Sequence, residues 1–488
     1  MERRDDGMKV LIVASEAAPI AATGGLGDVV GSLPGALRDL GCTVWVAIPA
    51  YRTALDRIEA WDLAVEALSV PMGRGAVSGD ILLSQLSPDI PLYLVRCDPF
   101  FDRDGIYGTP AGDYRDNPER YIFFSRMIPL LCASLSLKPD VILANDWQTG
   151  LVMALLNEGA VPGAAGVFSI HNMGYLGLVP SERIGNIGLP YTYYRTEGLE
   201  FYGQMSLLKA GIVYAEHVVT VSPTYAQEIQ TPEMGFGLDG LMRSVSHRLH
   251  GILNGVDYRV WDPAIDPHLA RAYSRDDLSG KTACKQDLLK EMRLPPALVK
   301  RPLAGMVTRL VEQKGTGLLA DACHALFSMD MGLVVLGSGD TAHEQVLMDL
   351  QARYPDRFGL KIGFDPGLAH KIVAGSDIFL LPSLYEPCGL TQMYSLRYGT
   401  LPVARATGGL KDTIVDPNDG NGEGTGFKFD RFHAADLVAG TARAIMAWQK
   451  PHIWKAMQQH AMSRDFSWRR SAEAYLSLFE KTIRHNKG

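Results

Sequence analysis

Short, almost uninterrupted apolar runs alternate with helix-like stretches along nearly the whole chain, and few architectures accept that pattern. In the first half the runs are residues 10–14, 44–48, 92–96, 141–144, 167–170 and 217–221. In the second half they are residues 303–307, 333–336, 378–381 and 401–404. Strands that are apolar on both faces and separated by helices belong in parallel sheets covered on both sides. Ligands of such sheets bind at the carboxyl ends of the strands. At 488 residues the chain exceeds one ordinary core, and its length suggests about two or three domains.

A repeated loop supports a two-domain reading. Thr23-Gly24-Gly25-Leu26-Gly27-Asp28 follows the first apolar run, and Thr407-Gly408-Gly409-Leu410-Lys411-Asp412 follows the run 401–404. Paired glycines at a strand-to-helix turn let backbone approach a ligand, and a helix start offers N–H groups to an anion. Either loop alone reads equally well as a plain glycine turn. Two of them suggest similar domains closing on one phosphate-bearing ligand. A turn at Asn254-Gly255 marks the expected junction, with domains at 1–250 and 251–465 and a C-terminal helix within 466–488 packing back on the first.

Composition narrows the class. No run approaches the ~18 apolar residues of a membrane span, and residues 1–7 are charged and lack a signal-peptide core. The expected compartment is the cytoplasm. Six scattered cysteines form no CxxC pair, which excludes the usual zinc ribbon and disfavours a disulfide framework. A net charge of −7 supplies no field for nucleic acid or anionic membrane.

Four segments carry chemistry. Arg309 and Lys314 follow a strand and suit a diphosphate, the first as a fork and the second as a point charge; solvated surface cations are the alternative. Glu386 lies in Tyr385-Glu386-Pro387-Cys388-Gly389-Leu390-Thr391-Gln392, where a carboxylate can accept sugar hydroxyls and the N–H groups of Cys388 and Gly389 face a ligand. Asp146, in Asn145-Asp146-Trp147, and His171 with Asn172 end two successive strands and suit a carbohydrate subsite, although a histidine at a strand end can equally be structural. Asp102-Arg103-Asp104 is formally a DxD, but with no third ligand it reads as a surface turn.

Together these segments resemble the bacterial glycogen/starch synthases, retaining GT-B glycosyltransferases of family five. The string Glu386 to Gln392 followed by Tyr398-Gly399-Thr400 and Thr407 to Leu410 is the most specific part, and the resemblance runs from about Met8 to the last helix. It implies an α/β GT-B fold, with two Rossmann-like doubly wound domains facing a central cleft. It also implies transfer of glucose from ADP-glucose to the non-reducing end of an α-1,4-glucan (glycogen), without cofactor or metal. Carried over, Arg309 and Lys314 hold the diphosphate, Glu386 binds donor hydroxyls, and Asp146 and His171 shape the glucose and acceptor side from the N-terminal domain. Thr23, Gly24, Gly25, Asp28, Asn172, Phe364, Cys388, Gly389, Leu390, Thr407, Gly408 and Gly409 complete the expected substrate contacts. Phe364 stands where the family commonly stacks a tyrosine on adenine. The implied mechanism is a same-face displacement with oxocarbenium character, in which the departing phosphate accepts the acceptor's proton. Ala22 replaces the family's lysine, and Asn145 and Gln148 replace its flanking histidines. UDP-glucose as donor, another acceptor, or a weakened glucan-binding paralogue are the competing readings.

Overall fold

The computed structural model describes residues 7–109, 112–420 and 424–486. The charged residues 1–6 of the N-terminal segment lie outside the described residues. The chain divides into two compact units, Met1–Val221 with Ala226–Gly255 and Trp468–Gly488, and Ser222–Tyr225 with Val256–Ser467.

The first unit is built on nine strands. In spatial order they are Leu249–Gly251, His217–Thr220, Ala165–Ile170, Val141–Asn145, Lys9–Val13, Thr43–Pro49, Ile90–Arg96, Gly75–Ser87 and Asp62–Met72. The first seven pair in parallel, and the last two form an antiparallel hairpin on the edge. Val141–Asn145 and Ala165–Ile170 are buried at every residue, because helices cover both faces of the central strands. The hairpin was not evident in the sequence, since Asp62–Met72 is largely exposed and carries no continuous apolar run. The final helix, Trp468–Asn486, lies against the helix Gly25–Asp39 and the strand Ala165–Ile170. Its buried Trp468, Ala472, Tyr475, Phe479 and Thr482 recur at three- and four-residue spacing, the stripe of an amphipathic helix.

The second unit holds six parallel strands in the order Phe358–Ile362, Gly332–Gly337, Leu303–Val307, Ile378–Leu381, Leu401–Arg405 and Phe427–Phe429. In both sheets the strand order reverses beside the unit's first strand. Lys9–Val13 sits between Thr43–Pro49 and Val141–Asn145, and Leu303–Val307 sits between Gly332–Gly337 and Ile378–Leu381. Connections therefore diverge to opposite faces at these points and leave a crevice at the strand ends.

The unit boundaries differ from those expected at 250/251 and 465/466. Leu249–Gly251 is the edge strand of the first sheet, in parallel with His217–Thr220, so the first unit extends to Gly255. Ser222–Tyr225 departs from the first unit altogether. Ser222 Oγ donates to the Pro387 carbonyl at 2.6 Å, and the Thr224 N–H and hydroxyl donate to the two Asp412 oxygens at 2.8 and 2.7 Å. These bonds tie the excursion to the second glycine loop. Asp412→Ala leaves both Thr224 donors unanswered, and a bond to a charged group contributes about 1.5–3 kcal/mol. The variant should unfold at lower temperature in calorimetry, whereas an unchanged transition would show that the tether contributes nothing.

Candidate functional site

In the first unit the glycine loop is organised by a carboxylate that sequence reasoning missed. Glu16 is 4 % exposed and accepts from the Thr23 N–H at 2.6 Å, the Thr23 hydroxyl at 2.9 Å, the Gly24 N–H at 3.2 Å and the Tyr107 hydroxyl at 2.6 Å. Two N–H groups expected to face an anion are thus already engaged by the chain's own carboxylate. A Cβ added at Gly24 or Gly25 would meet nothing within 4 Å, so this stretch borders open space. Ala22 is exposed at its start. Asp28, on the helix that follows, has its pKa raised to about 6, chiefly by desolvation and further by Glu16.

Asp146 and His171 meet where two neighbouring strands end. Asp146 adopts φ 57°, and its Oδ1 accepts the His171 N–H at 2.7 Å. Burial raises its pKa to about 7, against the lowering effect of the His171 and Asn172 N–H groups; Glu16 adds a smaller upward push. Burial lowers His171 to about 4, so the imidazole is neutral at pH 7. Its tautomer follows from Asn145. The Asn145 amide nitrogen donates to the carbonyls of Val13 and Leu143 at 3.1 and 3.3 Å, which turns Oδ1 toward His171 Nε2 at 3.0 Å. An amide oxygen only accepts, so Nε2 carries the proton and Nδ1 keeps its lone pair. Ser169 Oγ stands 3.1 Å from the same Nε2. Asn172 Oδ1 accepts the Gly174 N–H at 2.9 Å and fixes the turn that leads away from this pair.

In the second unit Lys314 and Glu386 come together at the point where strand order reverses. Lys314 Nζ lies 2.7 and 2.6 Å from the two Glu386 oxygens, and Ser383 Oγ donates to one of them at 3.0 Å. The side chains are 18 % and 9 % exposed. Arg309 is exposed, with Nη2 3.4 Å from Gln313 Oε1. The second glycine loop obeys a different constraint from the first. A Cβ at Gly408 would fall 2.0 Å from the Glu386 carbonyl oxygen, and one at Gly409 would fall 2.0 Å from that of Cys388. The Gly409 N–H donates to the Glu386 and Pro387 carbonyls. Here the glycines let two loops of the protein pack on each other. Thr407 and Cys388 are buried, while Gly389 and Leu390 are partly buried before the helix Thr391–Arg397. Phe364 stands apart, 91 % exposed after the strand Phe358–Ile362. The DxD carboxylates are engaged by one guanidinium, Arg52 reaching Asp102 and Asp104 each at 2.6 Å.

Residues 9–244 match the starch synthase catalytic domain, and residues 291–460 match the group 1 glycosyl transferases. A glycogen synthase of Desulfatibacillum aliphaticivorans is 49% identical, covering 98% of this chain and 99% of its own length. The chain belongs to the glycogen/starch synthase family. Another glycogen synthase of this family, from Thioalkalivibrio sulfidiphilus, is 46% identical over 98% of this chain and all of its own. The catalytic domain of starch synthase IV from Arabidopsis thaliana, solved with ADP and acarbose, superposes with TM-score 0.90 at 33% identity, covering 98% of this chain and 99% of that one. Family membership carries the two-Rossmann GT-B architecture seen in the two sheets.

The Glu16 cluster has a measurable consequence. Glu16→Gln removes the negative charge that raises both Asp28 and Asp146, so both pKa values should fall from about 6 and about 7. They should stay above the ordinary aspartate range, because burial is the larger cause. Carbon-13 carboxyl titration by NMR checks this, and unmoved values would remove Glu16 from the electrostatics of the site.

Proposed function

We propose that the chain transfers the glucosyl unit of ADP-glucose to the non-reducing end of an α-1,4-glucan with retention of configuration. The observation that supports this reading is the Lys314–Glu386 pair, at the strand ends where the order of the second sheet reverses, in a chain that matches a glycogen synthase over 98% of its length. ADP in the Arabidopsis relative supports the donor. An arriving diphosphate competes with Glu386 for the Lys314 ammonium, and Arg309 adds a fork-shaped donor from an exposed position. Glu386, still held by Ser383, then has an oxygen to offer a donor hydroxyl. Phe364, with one ring fully presented, serves the base. Cys388, Gly389, Leu390, Thr407, Gly408 and Gly409 shape the donor side through their packed loops.

Asp146, His171 and the Thr23–Asp28 segment serve the sugar being transferred and its acceptor. Neutral His171 accepts a hydrogen bond from a sugar hydroxyl at Nδ1, while the proton of the acceptor passes to the departing phosphate. The oxocarbenium-like transition state needs its leaving charge stabilised more than it needs a protein nucleophile, and the two cations supply that stabilisation. Among the described residues no helix is long and apolar enough to cross a membrane, and the proposed compartment is the cytoplasm.

The test is incubation with labelled ADP-glucose and glycogen, with UDP-glucose as a parallel arm, scoring glucan incorporation and nucleotide release. Incorporation from ADP-glucose is expected; none from either donor would overturn the reading. Lys314→Ala should lower turnover ~10²–10³-fold, or roughly 3–4 kcal/mol, in protein that circular dichroism shows to be folded. Near-wild-type turnover would remove Lys314 from leaving-group stabilisation. Ala22→Lys restores a cation beside the first glycine loop, a gain on the order of 1 kcal/mol, and should raise turnover several-fold. Unchanged or lower turnover would mean that the site is adapted to Ala22.

A further inference from the structure

Between Val256 and the helix Gly280–Glu291 the chain forms no helix or strand. Irregular stretches this long are uncommon in a compact domain and usually serve function. This one grips two helices of the second unit. The Trp261 indole lies parallel to the His370 ring at 3.7 Å between centroids and to the Tyr394 ring at 4.0 Å, with interplanar angles of 7° and 5°. Two rings cannot share one face at such separations, so the indole is sandwiched between them. His370 belongs to the helix Pro366–Gly375 and Tyr394 to the helix Thr391–Arg397. Asp266 repeats the link with a single oxygen. Its Oδ2 accepts from His370 Nδ1 at 2.7 Å and from the Tyr398 hydroxyl at 2.6 Å, while Oδ1 accepts the His268 N–H at 2.9 Å. Arg397 completes the grip by bonding Asp262 and lying 4.6 Å from the Tyr258 ring centroid.

Plain packing does not account for this choice of residues. Asp266 is 6 % exposed, and taking a carboxylate out of water is unfavourable unless its partners are fixed in place. An apolar contact would fill the same space without that penalty, whereas bonds to an ion hold both direction and distance. The gripped residues share one face of their helix, since Tyr394, Arg397 and Tyr398 recur at three- and four-residue spacing. At the N-terminal ends of the same two helices lie the groups assigned to the donor. Phe364 stands immediately before Asp365, whose side chain accepts the Leu368 N–H at 2.9 Å and caps the first helix. Leu390 precedes the second, its carbonyl accepting the Tyr394 N–H at 3.0 Å. The strands that lead into these helices, Phe358–Ile362 and Ile378–Leu381, are not neighbours, because Gly332–Gly337 and Leu303–Val307 lie between them. Sheet pairing therefore ties the two helix starts only indirectly.

We propose that Trp261 and Asp266 are positioning residues for the donor, a spacer that sets how far Phe364 lies from the Glu386–Leu390 segment. This assignment rests on the transferase reading above, and it makes the span of the nucleotide sugar a determinant of recognition beside its base and its glucose. A donor held at both ends gains affinity only when the first contact delivers the second end to the right place, as for any ligand that bridges two sites. The two helices transmit the setting. His370 and Tyr394 each lie one turn from the start of their helix, so a shift at the indole becomes a shift at the donor.

The test compares Trp261→Leu, Trp261→Phe and Tyr398→Phe in the full-length protein. Trp261→Leu removes the flat spacer and should raise the KM for ADP-glucose about tenfold, with kcat changed less than about threefold and the KM for glycogen unchanged. Simple loss of folded protein would instead lower the apparent kcat and leave both KM values alone. Trp261→Phe keeps an aromatic face between the helices and should recover most of the ADP-glucose KM. Tyr398→Phe deletes one hydroxyl from the Asp266 bridge and should raise that KM about two- to threefold. It leaves the packing intact, so it decides the question even where Trp261→Leu is destabilised. Calorimetric titration reads the same effect without turnover. In Trp261→Leu the Kd of ADP-glucose should weaken about tenfold, and that of AMP, which reaches only the base end, less than about twofold. Equal losses for the two nucleotides would place the damage in the base site itself and overturn the spacer. So would wild-type KM and Kd values in folded Trp261→Leu and Tyr398→Phe. If the wild type transfers nothing, the functional reading fails, and the two titrations still decide whether Trp261 sets the spacing.

Discussion

Strands buried on both faces dictate where chemistry can occur in this molecule. Gly332–Gly337 and Ala165–Ile170 have no exposed residue, and their backbone groups are committed to the parallel ladders. Charged side chains along such strands would incur an uncompensated desolvation penalty. Polar function is therefore displaced to the loops that leave the carboxyl edges. Glu16, Asp146, His171, Arg309, Glu386 and Thr407 all lie within a few residues of a strand end. Polar residues inside the strands survive only when fully employed. Asn145, 1 % exposed, holds two carbonyls and the imidazole of His171, and buried Ser169 supports the same ring.

The two Thr-Gly-Gly-Leu loops show how one sequence pattern answers two demands. In the first, the N–H groups of Thr23 and Gly24 are drawn to Glu16, and the glycines leave open space above them. In the second, the glycines allow contact with the carbonyls of the Glu386–Cys388 segment. The first loop is held by an internal carboxylate and the second by neighbouring backbone.

The strands were legible in the sequence wherever both of their faces are buried, because a short apolar run between helices has no stable place except inside a covered sheet. The hairpin of Asp62–Met72 and Gly75–Ser87 was not, since one exposed face dilutes its pattern. Motif residues such as Lys314 and Glu386 were recognisable as chemically suitable, but their pairing joins positions 72 residues apart, which no local pattern encodes. Glu16 escaped notice for a related reason. An acidic residue between a strand and a glycine loop looks like a surface charge until Tyr107, 91 residues on, closes over it. The excursion of Ser222–Tyr225 into the second unit likewise depends on a partner, Asp412, far along the chain.

The helix Trp468–Asn486 belongs to the first unit but is synthesised only after the body of the second. Its seat on the helix Gly25–Asp39 is made early, yet it stays uncovered until residues 256–467 have been translated. At elongation rates of ~5–20 residues per second that interval is roughly 10–40 s. Throughout it the surface destined for Trp468, Tyr475 and Phe479 is an exposed apolar face on a nascent protein. The interleaved chain path therefore delays completion of the first unit until the second has been made, and gives chaperones a defined window in which to engage it.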